Sequence, residues 1–335
     1  MRLHRLAAVA AILALASTAC GSVEDDAADT GGPAGQTSDG DAAASADDGP
    51  VTVTDGRGEE ITLDAPATTV VGLEWGVIEN LVSLGVMPAG AADVEGYSAW
   101  VSAAPLDDSV TDVGMRGEPS VDAIVGLDPD LVVATTDLAP NVVEQLEEIV
   151  PVLVVRAAAA ERPIEQMRDN LTLVAEAVDR SDQADELLAD LDAALADGSE
   201  QLDAAGVAGD RFALADGWVE GNTVNVRAFT ETSLAGAVAE ELGLESAWEL
   251  EGDPDYGLAV TDVEGLTGLG DVHFVYYSND VEEDPYATLE GNALWESLEF
   301  VESGDVHRLP DGIWMFGGPR SVEQLVDAIV GTLAA

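Results

Sequence analysis

Apolar residues recur at spacings of three and four through Ile164, Met167, Leu171, Val174 and Val178, the period of one helix face. Pro163 opens the stretch and suits a first helical turn, where its missing N–H would have had no partner. The pattern predicts a helix over 163–179, which at ~1.5 Å per residue spans roughly 25 Å. The polar run Asp179, Arg180, Ser181 and Asp182 interrupts it, and Ala184, Leu187, Leu188, Leu191 and Leu195 start a second apolar face. The first helix reads as a rigid strut between two lobes and the second as the first helix of the C-terminal lobe. The alternative is an ordinary crossover helix in one continuous sheet.

On the N-terminal side of the strut, 51–54 and 61–63 flank Asp55-Gly56-Arg57-Gly58, the pattern of a hairpin. A short buried strand at 70–73 leads into a helix over 75–84 that stops at Gly85, and an extended piece follows at 88–91. Ser120 can cap a helix to Leu127; a strand at 130–134, a helix at 140–149 and a strand at 152–155 complete the half. Such alternation predicts a parallel α/β sheet. The pattern returns after the strut, with strands at 212–215, 272–276 and 306–309. Helices fall at 233–242, from a Thr261 cap to Leu269, at 292–298 and at 321–333. Asp122 and Glu264 echo each other, each in the first turn of a capped helix that runs into a buried strand. Two-lobed folds hold their ligand in the cleft, at the C-terminal ends of strands.

The N-terminus reads differently. Arg2 and Arg5 precede an apolar run over 6–16, then small residues up to Cys20, the pattern of a secretory signal peptide over 1–19. The run is too short to span a bilayer as a mature helix. Cys20 is the only cysteine, so no intramolecular disulfide is possible. Its setting resembles a bacterial lipobox, in which the cysteine is acylated, although Ser17 stands where leucine is usual; a plain secreted protein is the alternative. Residues 20–50 are Gly, Ala, Ser, Thr and Asp with scarcely a large apolar side chain, the composition of an acidic, disordered tether. Its root-mean-square reach would be ~30 Å. The remaining boundaries are an N-terminal α/β lobe over 51–162, the linker helix over 163–180 and a C-terminal α/β lobe over 181–335.

Charge narrows the partners. The 66 acidic residues face 12 arginines and no lysine, a formal net charge of −54. Nucleic acid and an anionic membrane surface would both be repelled, leaving the lipid anchor as the route to the membrane. Acidity spread along the whole chain suits a heavily solvated surface adapted to high salt, and it makes each arginine worth explaining.

No G-x-S-x-G elbow, H-E-x-x-H or P-loop is present, so no catalytic constellation supports an enzyme. Of the three histidines His4 lies in the signal, His273 in a strand and His307 near a turn, fewer than a protein-built zinc site normally wants. What remains is aromatics and arginines at apparent loop positions. Trp75 follows a strand directly, Tyr97 and Trp100 sit in a Gly-flanked segment, and Arg116 lies between Gly114 and Gly117. Arg227 precedes the helix at Ser233, Tyr276 and Tyr277 end a strand, and Trp314 stands in a Gly-rich segment. Trp75, Tyr97, Trp100, Arg116, Arg227, Tyr277 and Trp314 are the candidate ligand-binding residues. Core packing is the alternative for each aromatic and a surface ion pair for each arginine; for Arg156 and Arg320 the two readings balance.

The stretches VGLEW at 71–75, GYSAWV at 96–101, DVGMRGEP at 112–119, RAFTETSLAG at 227–236 and WMFGGP at 314–319 resemble the substrate-binding lipoproteins of bacterial iron-siderophore ABC importers. The likeness is to the branch that handles ferric citrate and related hydroxycarboxylate chelates, and it runs from Val51 to the end. It implies two Rossmann-like lobes joined by a single long α-helix, the class III periplasmic-binding-protein fold, with no enzymatic activity and no cofactor. It also implies that Arg116 and Arg227 contact an anionic ferric siderophore without direct metal ligation by the protein. Asp122 and Glu264 would dock on an ABC permease dimer that works with its ATPase. The chain is then expected to be a monomer, anchored by lipid on the outer face of the cell membrane. Arg320 and His307 depart from residues usual in relatives and could signal another chelate; haem and a corrinoid are the alternative ligands, and a secreted enzyme on this scaffold is the alternative from another class.

Overall fold

A computed structural model of the chain describes residues 49–334. The signal peptide expected over 1–19, acylation at Cys20 and nearly all of the tether expected over 20–50 lie outside the described residues. The chain opens with a hairpin of β1 (Val51–Thr54) and β2 (Glu60–Leu63). Next come β3 (Val70–Gly72), β4 (Gly90–Ala91), β5 (Thr111–Asp112), a short ribbon of β6 (Gly114–Met115) and β7 (Glu118–Pro119), then β8 (Leu131–Thr135) and β9 (Val152–Val155). Five of these form an all-parallel sheet in the order β5-β4-β3-β8-β9. Strands β3, β8 and β9 show no polar alternation because both faces are covered: every residue of the three is buried.

Helices α1 (Trp75–Ser83), α2 (Val94–Trp100), α3 (Val121–Gly126) and α4 (Pro140–Glu147) cover this sheet. The segment around Tyr97 and Trp100 is α2, not a loop, and Asp93 caps it by accepting from the Gly96 amide at 3.2 Å. Ser120 caps α3 as its sequence suggests.

Two consecutive helices, α5 (Pro163–Ala177) and α6 (Ser181–Ala205), lead to the second lobe. Both touch both cores. Ile164 and Met167 of α5 and Leu191 and Leu202 of α6 pack with the C-terminal lobe, while Leu171, Val174, Ala184 and Leu187 pack with the N-terminal one. The linking element therefore continues beyond the first helix, and α6 returns toward the second lobe along its 25 residues.

The C-terminal lobe holds β10 (Arg211–Glu220), β11 (Thr223–Phe229), β12 (Glu245–Ser246), β13 (Leu258–Asp262), β14 (His273–Tyr276) and β15 (Val306–Arg308), with α7 (Leu234–Glu241), α8 (Glu299–Ser303) and α9 (Pro319–Leu333). Its sheet runs β13-β11-β10-β14-β15, with β12 beside β10. Unlike the first, this sheet is mixed: β10 and β11 form a long antiparallel hairpin and β13 adds antiparallel to it. The hairpin turns at Gly221, whose φ of +64° glycine adopts without strain. Arg227 consequently stands on a strand and not in a loop, and Thr261 lies in β13 instead of capping a helix. A 3-10 turn over Glu264–Gly268 replaces that helix, and another over Trp295–Ser297 replaces most of the one expected at 292–298.

Candidate functional site

Between the lobes lies a cavity of about 450 Å³. Glu74 and Val77 at the start of α1, Arg116, Thr135 and Asp137 line it from the N-terminal lobe, and Arg227, Leu234, Tyr256 and Leu258 from the C-terminal lobe. Pro163, Gln166, Met167 and Asn170 of α5 form one wall, and Trp314, Phe316 and Gly317 enter from the segment before α9. The position follows from the folds: β3 and β8 end here, and their parallel direction sends the following residues into the cleft.

Each lobe contributes one arginine held between a carboxylate and an aromatic face. Arg116 Nη1 donates to Glu74 Oε1 at 2.9 Å, and its guanidinium lies 3.8 Å from the Trp75 ring centre and 5.6 Å from that of Trp314. Arg227 grips Asp216 with two donors, Nε at 2.9 Å from Oδ1 and Nη2 on Oδ2, and sits 5.6 Å from the Phe316 ring centre. A guanidinium carries five N–H donors. Both arginine side chains are 35 % exposed, so donors remain open to the cavity.

An aromatic row joins the two. Trp75 meets Trp314 edge-on at 4.7 Å, Trp314 meets Phe316 at 5.1 Å, and Phe316 meets Tyr256 at 5.5 Å. The Tyr256 hydroxyl donates across the cleft to Asp137. Burial, then the hydrogen bond to Asp137, pushes the Tyr256 phenol far above its ordinary value, so it is a donor at any physiological pH. Burial also raises Glu74 and Asp216, and in each case the arginine partner pulls the other way.

Two glycines set how closely the segment before α9 approaches α1. A Cβ on Gly317 would fall 2.3 Å from Glu79 Oε2, and one on Gly318 2.2 Å from Asn80 Oδ1. A side chain at either position would force the Glu79 or Asn80 side chain to shift.

Of the seven candidate ligand-binding residues, Arg116, Arg227 and Trp314 line the cavity. Trp75 lies directly beneath Arg116 and is only 5 % exposed, so it backs the site without facing it. Tyr97 belongs to the core: it is fully buried and its hydroxyl donates to the Ala104 carbonyl at 2.6 Å. Trp100 and Tyr277 are also corrected; they pack on each other at 5.3 Å and neither lines the cavity. That pair sits beside a separate contact between the lobes, where Asn279 Nδ2 donates to the Ala99 carbonyl at 2.7 Å and the Ser102 amide to Gly312 at 2.8 Å.

Arg156 pairs with Glu161, and Arg320 with Asp190 and Glu323; neither they nor His307 line the cavity. Asp122 and Glu264 are both exposed, on α3 and on the 3-10 turn that follows β13. Asp137, Tyr256 and Phe316 were not among the candidates. Phe316, two residues after Trp314, could have been found by following the alternation of that segment; Asp137 and Tyr256 carry no sequence signal, since their meaning is each other.

A model of the periplasmic binding protein family matches residues 70–312. The iron(3+)-hydroxamate-binding protein FhuD of Escherichia coli is 28 % identical over 257 residues, which cover 77 % of this chain and 84 % of that protein. The Fe(3+)-citrate-binding protein YfmC of Bacillus subtilis is 27 % identical over 272 residues, 78 % of this chain and 79 % of that one. Among solved structures, the siderophore-binding protein FhuD from Vibrio cholerae with Fe3+-Desferal bound superposes with a TM-score of 0.69 at 25 % identity, covering 80 % of this chain and 98 % of that one.

Proposed function

The chain belongs to the periplasmic binding protein family, and from that premise we propose that it captures a ferric siderophore in the cleft and delivers it to an ABC importer without chemistry on the ligand. The observation that carries the reading is the pair of arginines, one from each lobe, set along one aromatic row, Arg116 by Trp75 and Trp314 and Arg227 by Phe316. A chelate seated there would meet aromatic rings along the row and charge-assisted donors from both lobes, so binding it would draw the lobes together. Open guanidinium donors suit carboxylate oxygens, which accept two parallel hydrogen bonds from one fork. The ligand class we propose is therefore a ferric hydroxycarboxylate chelate.

One observation favours a second reading. Glu74, Asp137 and Asp255 outnumber Arg116 and Arg227 along the lining, which suits a neutral or cationic ferric hydroxamate better than a polyanion. Asp122 and Glu264, exposed one on each lobe, are the proposed contacts with basic pockets of the permease, and Cys20 the proposed site of the lipid anchor on the outer face of the membrane.

Tryptophan fluorescence tests the reading, because Trp75 and Trp314 lie at the first arginine. The protein, in molar salt, is titrated with ferric citrate, a ferric hydroxamate, haem and cobalamin. Saturable quenching by ferric citrate alone supports the hydroxycarboxylate class, and quenching by the hydroxamate alone replaces it with the second reading. A response only to haem or cobalamin, or to none, removes siderophore capture.

A further inference from the structure

The two strand histidines, far apart in sequence, are neighbours in the C-terminal sheet. β14 and β15 run parallel with Phe274 opposite Val306 and Val275 opposite His307. Side chains alternate faces along a strand, so His273, Asp305 and His307 come to the same face at the sheet edge. They converge on one point. His273 Nδ1 lies 3.6 Å and His307 Nε2 3.9 Å from the same atom, Asp305 Oδ1. Both nitrogens are shielded from solvent and have no hydrogen-bond partner among the described residues. One ligand atom from each of the three lies within 4.8 Å of the others.

Two features separate this from a chance meeting of polar side chains. Asp210 Oδ2 faces the other nitrogen of His273 at 3.4 Å, so that nitrogen can carry the proton and leave the Nδ1 lone pair aimed at Asp305. A carboxylate holding the far side of a ligating imidazole is how histidine ligands are oriented toward metals. The spacing is also near what an ion requires: bonds of ~2.0–2.1 Å at a tetrahedral angle put two ligand atoms ~3.3 Å apart, against 3.6 and 3.9 Å from the two imidazoles to Asp305 and at most 4.8 Å across the set, so the side chains would close in on the ion.

We propose that His273, Asp305 and His307 form a binding site for a divalent transition-metal ion of the zinc class, with Asp210 orienting His273. Two imidazoles select zinc, nickel or cobalt over magnesium and calcium, which the many surface carboxylates hold as well. None of the three residues lines the inter-lobe cavity, so the ion is separate from any iron carried there. β15 is an edge strand paired to β14 at only three positions. An ion bridging the two strands would fasten β15, and with it the start of the segment that carries Trp314 and Phe316 into the cavity.

The probe is cobalt(II), titrated into the full-length protein in molar potassium chloride with excess magnesium to fill surface carboxylates. One equivalent is expected to bind, to develop a visible ligand-field band, and to be displaced by zinc. His273→Ala and His307→Ala are each expected to weaken binding by about 100-fold, and Asp210→Asn by about 10-fold. Proton NMR supplies a readout that needs no variant: in the wild-type protein the ring signals of His273 and His307 should shift or broaden at one equivalent. Uptake that persists unchanged in the double histidine variant, ring signals that do not respond, or no one-to-one uptake would each overturn the site.

Discussion

Glu79 on α1 accepts two hydrogen bonds from Ser321 on α9, from the amide at 2.9 Å and from the hydroxyl at 2.7 Å. A fully buried carboxylate of one lobe thus occupies the N-terminal end of a helix of the other. The contact lies next to Asn80 and Gly317, which line the cavity. Removing one donor from a buried carboxylate leaves it under-solvated, so Ser321→Ala is expected to lower the unfolding free energy by ~1–3 kcal/mol. Denaturant titration in molar salt measures it.

The same carboxylate gives a pH dependence of defined sign. Burial raises Glu79 above its ordinary value of 4.5, against the pull of the Ser321 and Gly318 donors. A group raised on folding binds its proton more tightly in the folded state; its stabilising contribution is full below its unfolded value and is lost as pH rises through the folded one. Wild-type stability measured relative to Glu79→Gln should therefore fall as the pH rises above the ordinary carboxylate value of 4.5. A flat difference would mean that burial does not govern this group.

Arg116→Ala and Arg227→Ala should each weaken chelate binding by about 10–100-fold, since a charge-assisted hydrogen bond contributes ~1.5–3 kcal/mol and ~1.4 kcal/mol is a factor of ten. Their effects on stability should differ. Arg227→Ala strips the partner from Asp216, which is only 9 % exposed, and should lower the thermal midpoint. Adding Asp216→Asn should restore the midpoint and leave the affinity low. If affinity returned with stability, Arg227 would act through the fold and not on the ligand.

Tyr256→Phe keeps the ring against Phe316 and deletes only the hydrogen bond to Asp137 across the cleft. A net hydrogen bond contributes ~0.5–1.5 kcal/mol, so release of bound chelate should speed up by roughly 2–10-fold. Stopped-flow dissociation reads this directly, and an unchanged rate would show that the contact does not hold the lobes around ligand.

Asp122→Arg with Glu264→Arg should abolish association with the detergent-solubilised permease while chelate binding stays as in the wild type, since both residues are exposed and neither lines the cavity. Association that survives the double reversal would place the docking surface elsewhere.

Much of the N-terminal lobe was legible because β3, β8 and β9 are buried runs, Ser120 caps α3 and Pro140 opens α4, all written in consecutive residues. The C-terminal sheet was legible only in part. The alternation Val224, Val226 and Ala228 after the turn at Gly221 marks β11, yet Arg227 and Asn225 on its other face gave it the look of a loop. Aromatic residues misled for a physical reason: Tyr97 and Tyr277 bury large rings in a core as readily as they line a cleft, and spacing alone does not separate the two. Arg116 and Arg227, which line the cavity, stood out because lone cations in so acidic a chain need a reason to persist. Asp137 with Tyr256, and His273 with His307, are pairings between distant segments that only the folded chain reveals.

The two glycines before α9 also constrain how this binding protein can diverge. With Glu79 and Asn80 pressed against positions 317 and 318, substitutions there disturb the seam between the lobes before they reach any ligand. Trp314 and Phe316, a few residues earlier on the same segment, line the cavity, where their neighbours are other aromatic rings and the two arginines. A lineage adapting to a new chelate would therefore vary 314 and 316 while holding 317 and 318 fixed, so that specificity drifts along one stretch of chain whose neighbouring residues stay frozen.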